Sequence, residues 1–474
     1  MIFLSTGFSA DRPYPKLLEM LMSLIPMKPL ASANRVKPAK AASLAIAVLA
    51  IGFLSAACQE AAAPPASTSA GSPSPGTPAA GDAKSLKIGT LLPATGDLAS
   101  VGQPMLAAVP LLVETVNQCG GVNGAPVTLL PNTDDQTDPT AGADGMTKLA
   151  EVDKVAGVVG SFGSSVSAAA IPIAIRNKVM LVSPGSTSPV FTERGQKGEF
   201  QGYWARTAPP DTYQARALAK LAYERGIRRA ATVVINNDYG RGFEKEFVQA
   251  FKTLGGTITN EAKPARYDPK ATTFATEAQA AFGNKPEGVA AVAYAETGAL
   301  LLKTAYEQGL SKGVQILLTD GSKSDQFATQ VGKTSDGKFI LQDAVGTIPG
   351  ADGKALDALT KLWQAKFKQA PAAYAPQAWD AAALLVLAAQ AAKANTGDAI
   401  KSKITEVANG PGKDVSDVCE GLKLLSQGET INYQGASGNV DIDKSGDVSG
   451  VYDVWQVAAD GTLKTVGKVS PTSK

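Results

Sequence analysis

VAGVVGSFGSSVSAAAIPIAIRNKVMLVSPGSTSP, residues 155–189, opens on a short apolar run, reaches a second one near its end, and carries a helix-like stretch between them. Each run, VAGVVG (155–160) and VMLVSP (179–184), is bounded by Gly or Pro and gives way to a loop rich in Ser, Thr and Gly. Such runs read as strands, and strand, helix and strand in succession read as a parallel crossover unit.

The same rhythm extends in both directions. Upstream, LKIGTLLP (86–93) reads as a strand, residues 103–117 as a helix with one apolar face, and VTLLPN (127–132) as another strand. Downstream it restarts with AATVVIN (230–236), GVAAVAY (288–294) and VQILLTD (314–320), again with helical segments between. The fold class is therefore α/β, with two parallel, doubly wound sheets. Ligands of such sheets bind outside the carboxyl ends of the strands. Five loops stand there: GSFGSS (160–165), SPGSTSP (183–189), NNDYGRG (236–242), AYAET (293–297) and TDGS (319–322). They hold hydroxyls, glycines and single carboxylates, without a Walker lysine pattern or a G-x-G-x-x-G after the first strand, so a nucleotide is not favoured.

Composition narrows the function. The 474 residues are 44% hydrophobic and 19% charged, enough for two lobes. Lys and Arg number 45 against 43 Asp and Glu, a net charge of +2 with no long basic run, so no nucleic-acid partner is expected. The chain has no histidine, which removes the usual general base, the Ser-His and Cys-His pairs and the commonest metal ligand. Its three cysteines show no C-x-x-C spacing. An enzyme is disfavoured, with lysine, carboxylate or tyrosine chemistry the remaining route, and no metal or cofactor is expected.

The N-terminus reads as an export signal. Lys28, Arg35, Lys37 and Lys40 precede an uncharged apolar run, 41–57, that ends at Cys58. Residues 1–57 are thus expected to be a signal peptide, with Met27 an alternative start. LSAAC (54–58) resembles the lipobox of bacterial lipoproteins, cut before a cysteine that is then acylated, although Ser55 stands three places before Cys58 and Leu54 one further back. An uncleaved anchor or a released soluble protein are the other readings. Residues 59–85 shift to Ala, Pro, Ser, Thr and Gly, a flexible tether. The expected location is the periplasm or the outer face of the cell membrane, with Cys58 as lipid anchor.

The folded part resembles the type I periplasmic binding proteins of branched-chain and neutral amino-acid importers, the leucine/isoleucine/valine-binding group. The resemblance is carried, in the family's order, by KIGTLLPATGDLASVG (87–102), VNQCGGVNGAPV (116–127), VVGSFGSSVS (158–167), VMLVSPGSTSPVFT (179–192), RTAPPDTYQ (206–214), NNDYGRGF (236–243) and YQGASGNVDIDKSGD (433–447). It implies two Rossmann-like lobes joined by three crossovers, with a small molecule trapped by hinge closure. Lobe 1 would comprise 86–206 plus 341–437, and lobe 2 207–340 plus 438–474. It also implies an ABC permease as membrane partner and a monomeric chain.

Carried across by position, the ligand-binding residues would be Ser164, Gly185, Ser186, Thr187, Tyr239, Tyr294 and Asp320. Ser164 opens a helix-like stretch, whose free N–H groups and dipole favour a carboxylate, or it only caps that helix. Asp320 falls where the family places an acid against the ligand's ammonium; Asp-Gly also makes an ordinary turn. Tyr239 and Tyr294 match cleft-lining tyrosines and could equally be packing. Val101 and Ala295 stand where the family often has aromatics, which implies a less aromatic pocket and leaves the ligand's side chain open; an amide or urea binder, or a ligand sensor of the same fold, are the alternatives. Cys119 and Cys419 both fall in lobe 1 on this map, so a disulfide or two buried thiols follow. DIDKSGD (441–447) resembles a calcium loop, but Tyr452 stands at its twelfth place, and a tight hairpin-like turn is expected instead.

Overall fold

A computed structural model describes Ser85–Ser470; the expected signal peptide, Cys58 and the tether up to Lys84 lie outside the described residues. The first sheet contains Lys87–Leu92 (β1), Thr128–Leu129 (β2), Thr133–Asp134 (β3), Gly157–Gly160 (β4), Met180–Ser183 (β5) and Trp204–Arg206 (β6). Its order is β2-β1-β4-β5-β6, with β3 also on β1, and every pairing is parallel. The run 127–132 divides at Pro131, which cannot donate to a ladder, so two short strands replace one. Helices Ala99–Gln118 (α1), Pro139–Thr147 (α2), Ser164–Arg176 (α3) and Pro189–Gln196 (α4) link these strands. Four residues more than the apolar periodicity alone predicts are helical at the start of α1, through Ala99.

After Asp211–Glu224 (α5), the second sheet is built from Arg229–Ile235 (β7), Thr257–Ile258 (β8), Ala265–Tyr267 (β9), Gly288–Val292 (β10), Gln315–Leu318 (β11) and Val345–Pro349 (β12). Asp238–Thr253 (α6), Ala275–Phe282 (α7), Ala295–Glu307 (α8) and Phe327–Val331 (α9) lie between them. The chain then returns to the first lobe for Lys354–Phe367 (α10), Ala375–Ala392 (α11), Gly397–Asn409 (α12), Lys413–Val415 (β13), Val418–Ser426 (α13), Ile431–Gly435 (β14) and Gly438–Asn439 (β15). It ends on Tyr452–Val457 (β16) and Leu463–Val469 (β17), which add to β12 as antiparallel strands. The second sheet is thus mixed at one edge, where an all-parallel sheet was expected.

Strand pairing moves two lobe boundaries. Val345–Pro349 pairs with β11 and β16, so the second crossover follows residue 349 and not 340. β15 pairs with β14, and Asp447 bonds Arg206 of the first lobe, so the third crossover lies near 448–451 and not at 437. The three crossovers, 207–210, 350–353 and 448–451, run side by side: Gly350 N donates to Val451 O at 2.9 Å, and a Cβ on Gly450 would lie 2.7 Å from Pro209.

The first lobe is centred on α11, buried at every position from Ala375 to Gln390. Cys119, at the end of α1, and Cys419, in α13, are joined by a disulfide with their Cα atoms 5.9 Å apart. The DIDKSGD segment forms a tight turn, with Asp443 N donating to Asp447 O at 2.8 Å and Gly446 N to Asp443 O at 3.0 Å, but its flanks are not paired as a regular hairpin. Its acids are used in the fold: Asp443 accepts from Ser445 N at 2.7 Å, and Asp447 binds the buried Arg206 guanidinium at 2.6 Å.

Candidate functional site

In each sheet the strand order reverses beside the first strand, between β1 and β4 in one and β7 and β10 in the other. Crevices form at such switch points. Here the two crevices face each other, and the loops after these strands meet across the cleft.

The first lobe presents the start of α3. Its N-cap is Gly163, which has no side chain to offer, so the first N–H groups of the helix are left for other acceptors. Ser164 is buried there, its Oγ accepting from Ser188 N at 3.3 Å. Thr187 Oγ1 is buried beside the Asp211 carboxylate, with no well-formed hydrogen bond. Ser186 is turned the other way: its hydroxyl meets Phe162 O at 3.0 Å, Ser161 O at 3.1 Å and Ser167 Oγ at 2.8 Å, all within its own lobe. Gly185 lets the Phe162 ring approach, since a Cβ would lie 2.1 Å from it. The side chain of Ser186 is therefore directed away from a ligand, and Gly185 serves the packing of Phe162.

The second lobe brings Asp320, at the end of β11, to the same cleft. Its Oδ1 accepts from Gln214 Nε2 at 2.8 Å and lies 3.0 Å from the Tyr239 hydroxyl, and its Oδ2 accepts from Tyr374 OH at 2.6 Å. Burial pushes this carboxyl above the ordinary range, and the Tyr374, Tyr239 and Gln214 donors work against that rise. Tyr239 and Tyr294 stack at 5.6 Å with 12° between their planes. The Tyr294 hydroxyl reaches the other lobe, 3.6 Å from where a Cβ of Gly163 would stand.

Four site residues were not singled out from the sequence. Asp211 opens α5, its N donating to Thr187 O at 2.8 Å across the lobes. Both of its carboxylate oxygens are buried with no well-formed hydrogen bond. Burial and the nearby Asp320 push it far up, with the adjacent Thr187 hydroxyl only partly opposing this. Gln214, one turn on, bonds Asp320. Their signal was the D-x-x-Q of RTAPPDTYQ, two side chains one helical turn apart. Tyr374 packs edge-on against Phe162 at 4.6 Å. It holds φ of +65°, a costly conformation for a bulky residue. With Phe162, Tyr239, Tyr294 and Tyr374 gathered, the cleft is aromatic in spite of Val101 and Ala295.

The lobes are closed on one another. Ser188 Oγ donates to Asp238 O at 2.8 Å, Asp238 N to Ser165 Oγ at 3.0 Å, and Lys270 pairs with Asp138 at 3.1 Å.

The family described as receptor family ligand binding region matches residues 104–460. The chain belongs to this family, and its two-lobed fold is that of the type I periplasmic binding proteins. It is 28% identical over 336 residues to Leu/Ile/Val-binding protein homolog 1 of Brucella abortus, covering 69% of this chain and 84% of that one. It is 25% identical over 374 residues to the chemotactic signal transduction system substrate-binding protein BasB of Halobacterium salinarum, covering 75% of this chain and 83% of that one. Among solved structures, LivJ of Streptococcus pneumoniae, a branched-chain amino acid transporter substrate binding protein in complex with isoleucine, superposes with a TM-score of 0.66 at 20% identity, covering 82% of this chain and 100% of LivJ. The chain is thus similar to solute-binding proteins across both lobes.

Proposed function

We propose that this protein captures an α-amino acid between its lobes, releases it unchanged, and passes it to an ABC-type importer as an extracytoplasmic lipoprotein. The observation that carries this reading is the polarity of the closed cleft: the uncapped start of α3 with Ser164 on one lobe, and the buried carboxylates Asp320 and Asp211 on the other. A helix N-terminus suits a carboxylate, and buried carboxylates suit an ammonium. An α-amino acid carries both groups. The names of the relatives favour a branched-chain or other neutral side chain. The lipoprotein assignment is supported by the basic segment, the apolar run and LSAAC ending at Cys58.

The test is a melting-temperature screen of the purified protein against amino acids, amides, urea and simple carboxylates. Ligand at about 100 times its Kd adds roughly 2.7 kcal/mol of stability, a clear upward shift. Stabilisation by an α-amino acid, lost in Asp320→Ala and Ser164→Ala, supports the reading. A response to an amide or urea alone overturns it. The chemotactic relative favours a second reading, a sensor presenting its closed form to a receptor; neighbouring permease and ATPase genes argue for import, and a neighbouring signalling receptor for sensing.

A further inference from the structure

Beside the cleft, α1 and the end of α10 in the first lobe and residues 323–326 in the second enclose a cavity of about 300 Å³. It begins where the site described above ends. Lys323 directly follows the turn 320–322, Ala373 precedes Tyr374, and Ser100 lies in the first turn of α1, two residues past Leu98.

Two of the residues lining this space, Trp363 and Lys323, carry a donor that no acceptor meets. Trp363 is 2% exposed, and its indole Nε1 has no partner. Ser100 Oγ, also buried, lies against the Glu296 carboxylate and is satisfied there. Lys323 is half-buried, and its ammonium lies 5.7 Å from the centroid of the Trp455 ring. Asp325 and Asp453 favour its charge from a distance. Asp453 pairs instead with Lys468 at 3.3 Å, and Asp325, on the exposed side of the cavity, makes no ion pair with Lys323. Burial holds the Lys323 ammonium below the usual lysine range.

A desolvated ammonium and an unpaired indole N–H carried by residues of one cavity lining are both suited by an acceptor bearing negative charge. A carboxylate has two oxygens and about four acceptor positions, enough for both donors.

We propose that this cavity is the distal subsite of the ligand site and binds an anionic end group, so that the preferred solute is an acidic α-amino acid. This rests on the amino-acid reading above and replaces its neutral side chain.

The experiment is calorimetric titration of the purified protein with L-glutamate, L-glutamine and L-leucine, repeated on Lys323→Met and Trp363→Phe. Glutamine has the shape of glutamate without the charge. The expected result is glutamate bound about tenfold or more tightly than glutamine, as a charge-assisted hydrogen bond predicts. Lys323→Met should abolish that preference, and Trp363→Phe should reduce it. Equal binding of glutamate and glutamine by the parent protein, or a preference untouched by Lys323→Met, overturns the subsite and leaves the amino-acid reading standing. Failure of all three amino acids to bind overturns both.

Discussion

Asp97, in the first lobe, caps a helix that belongs to the second. Its Oδ1 accepts from Thr297 N at 2.7 Å and its Oδ2 from Thr297 Oγ1 at 2.6 Å, at the start of α8, which has no cap of its own. The arrangement is reciprocal. Glu296 of α8 accepts from Ser100 N at 3.3 Å, at the start of α1, which is also uncapped within its lobe. A third exchange joins α3 and α6, where the Ser165 hydroxyl donates to Asp238 Oδ2 at 3.1 Å and accepts from Asp238 N at 3.0 Å. Each pair exists only while the lobes are together, so closure satisfies helix ends that opening returns to water.

Removing this cap should weaken capture without touching a ligand. An N-cap replaced by Ala costs about 0.5–2 kcal/mol, and here that cost falls on the closed state alone, so Asp97→Ala should raise the ligand Kd by roughly 2- to 30-fold. Calorimetry measures the affinity, and small-angle scattering should show the ligand-free variant more extended than the parent. Unchanged affinity and unchanged scattering would remove the capping exchange from the closure mechanism.

Arg206 should be a keystone of the binding loop. It is fully buried, held by Asp447 at 2.6 Å, and donates to Ser186 O at 2.9 Å and Ser188 O at 3.1 Å, the residues on either side of Thr187. Asp447→Ala leaves the guanidinium buried without its counter-charge, a loss of about 3–5 kcal/mol. Denaturant titration should show a loss of that size. Ligand affinity should fall as well, because the 186–188 backbone loses its anchor. A drop in stability with intact affinity would show that the loop holds itself.

The sheets and half of the cleft were legible in the sequence because a strand and the loop after it are contiguous. Ser164, Thr187, Tyr239, Tyr294 and Asp320 all follow an apolar run directly, and the structure brings them to one cleft. Asp211, Gln214 and Tyr374 reach the same place from helix starts beyond a crossover; the D-x-x-Q spacing is the one local signal of the first two, and Tyr374 has none. β6 has only three residues, and β12, VGTIP, carries a Gly and a Pro, so neither shows the apolar run of a buried strand. Ser186 was misjudged because a hydroxyl in a binding loop reads the same whether it turns toward the cleft or back into its own lobe.

The disulfide should matter for stability and not for binding. Cys119 and Cys419 are 300 residues apart in sequence, and both lie in the first lobe. Cross-links closing long loops in native proteins contribute about 2–5 kcal/mol. Reduction, or Cys419→Ser, should lower the melting temperature by several degrees while ligand affinity stays within about twofold. A large loss of affinity would instead couple this cross-link to the hinge.

Asp135 gives the fold a pH dependence whose sign can be worked out. It is fully buried beside Asp134, its Oδ1 accepts from Thr137 N at 2.9 Å, and its Oδ2 has no partner. Burial pushes its carboxyl up to about 7 from the ordinary 3.8. The folded chain therefore holds this proton more tightly than the unfolded chain, and the associated stability is complete below about pH 4 and lost as pH rises through about 7. Asp135→Asn keeps the acceptor for Thr137 and cannot ionise. Its advantage over the parent should be flat below about pH 4, grow between about pH 4 and 7, and level off near 4 kcal/mol at most. Asp380, pushed up to about 6, titrates over part of the same range, which is why the difference between variant and parent is the quantity to follow by urea unfolding. A difference independent of pH would mean that Asp135 stays ionised in the folded chain and has a cation or donor beside it.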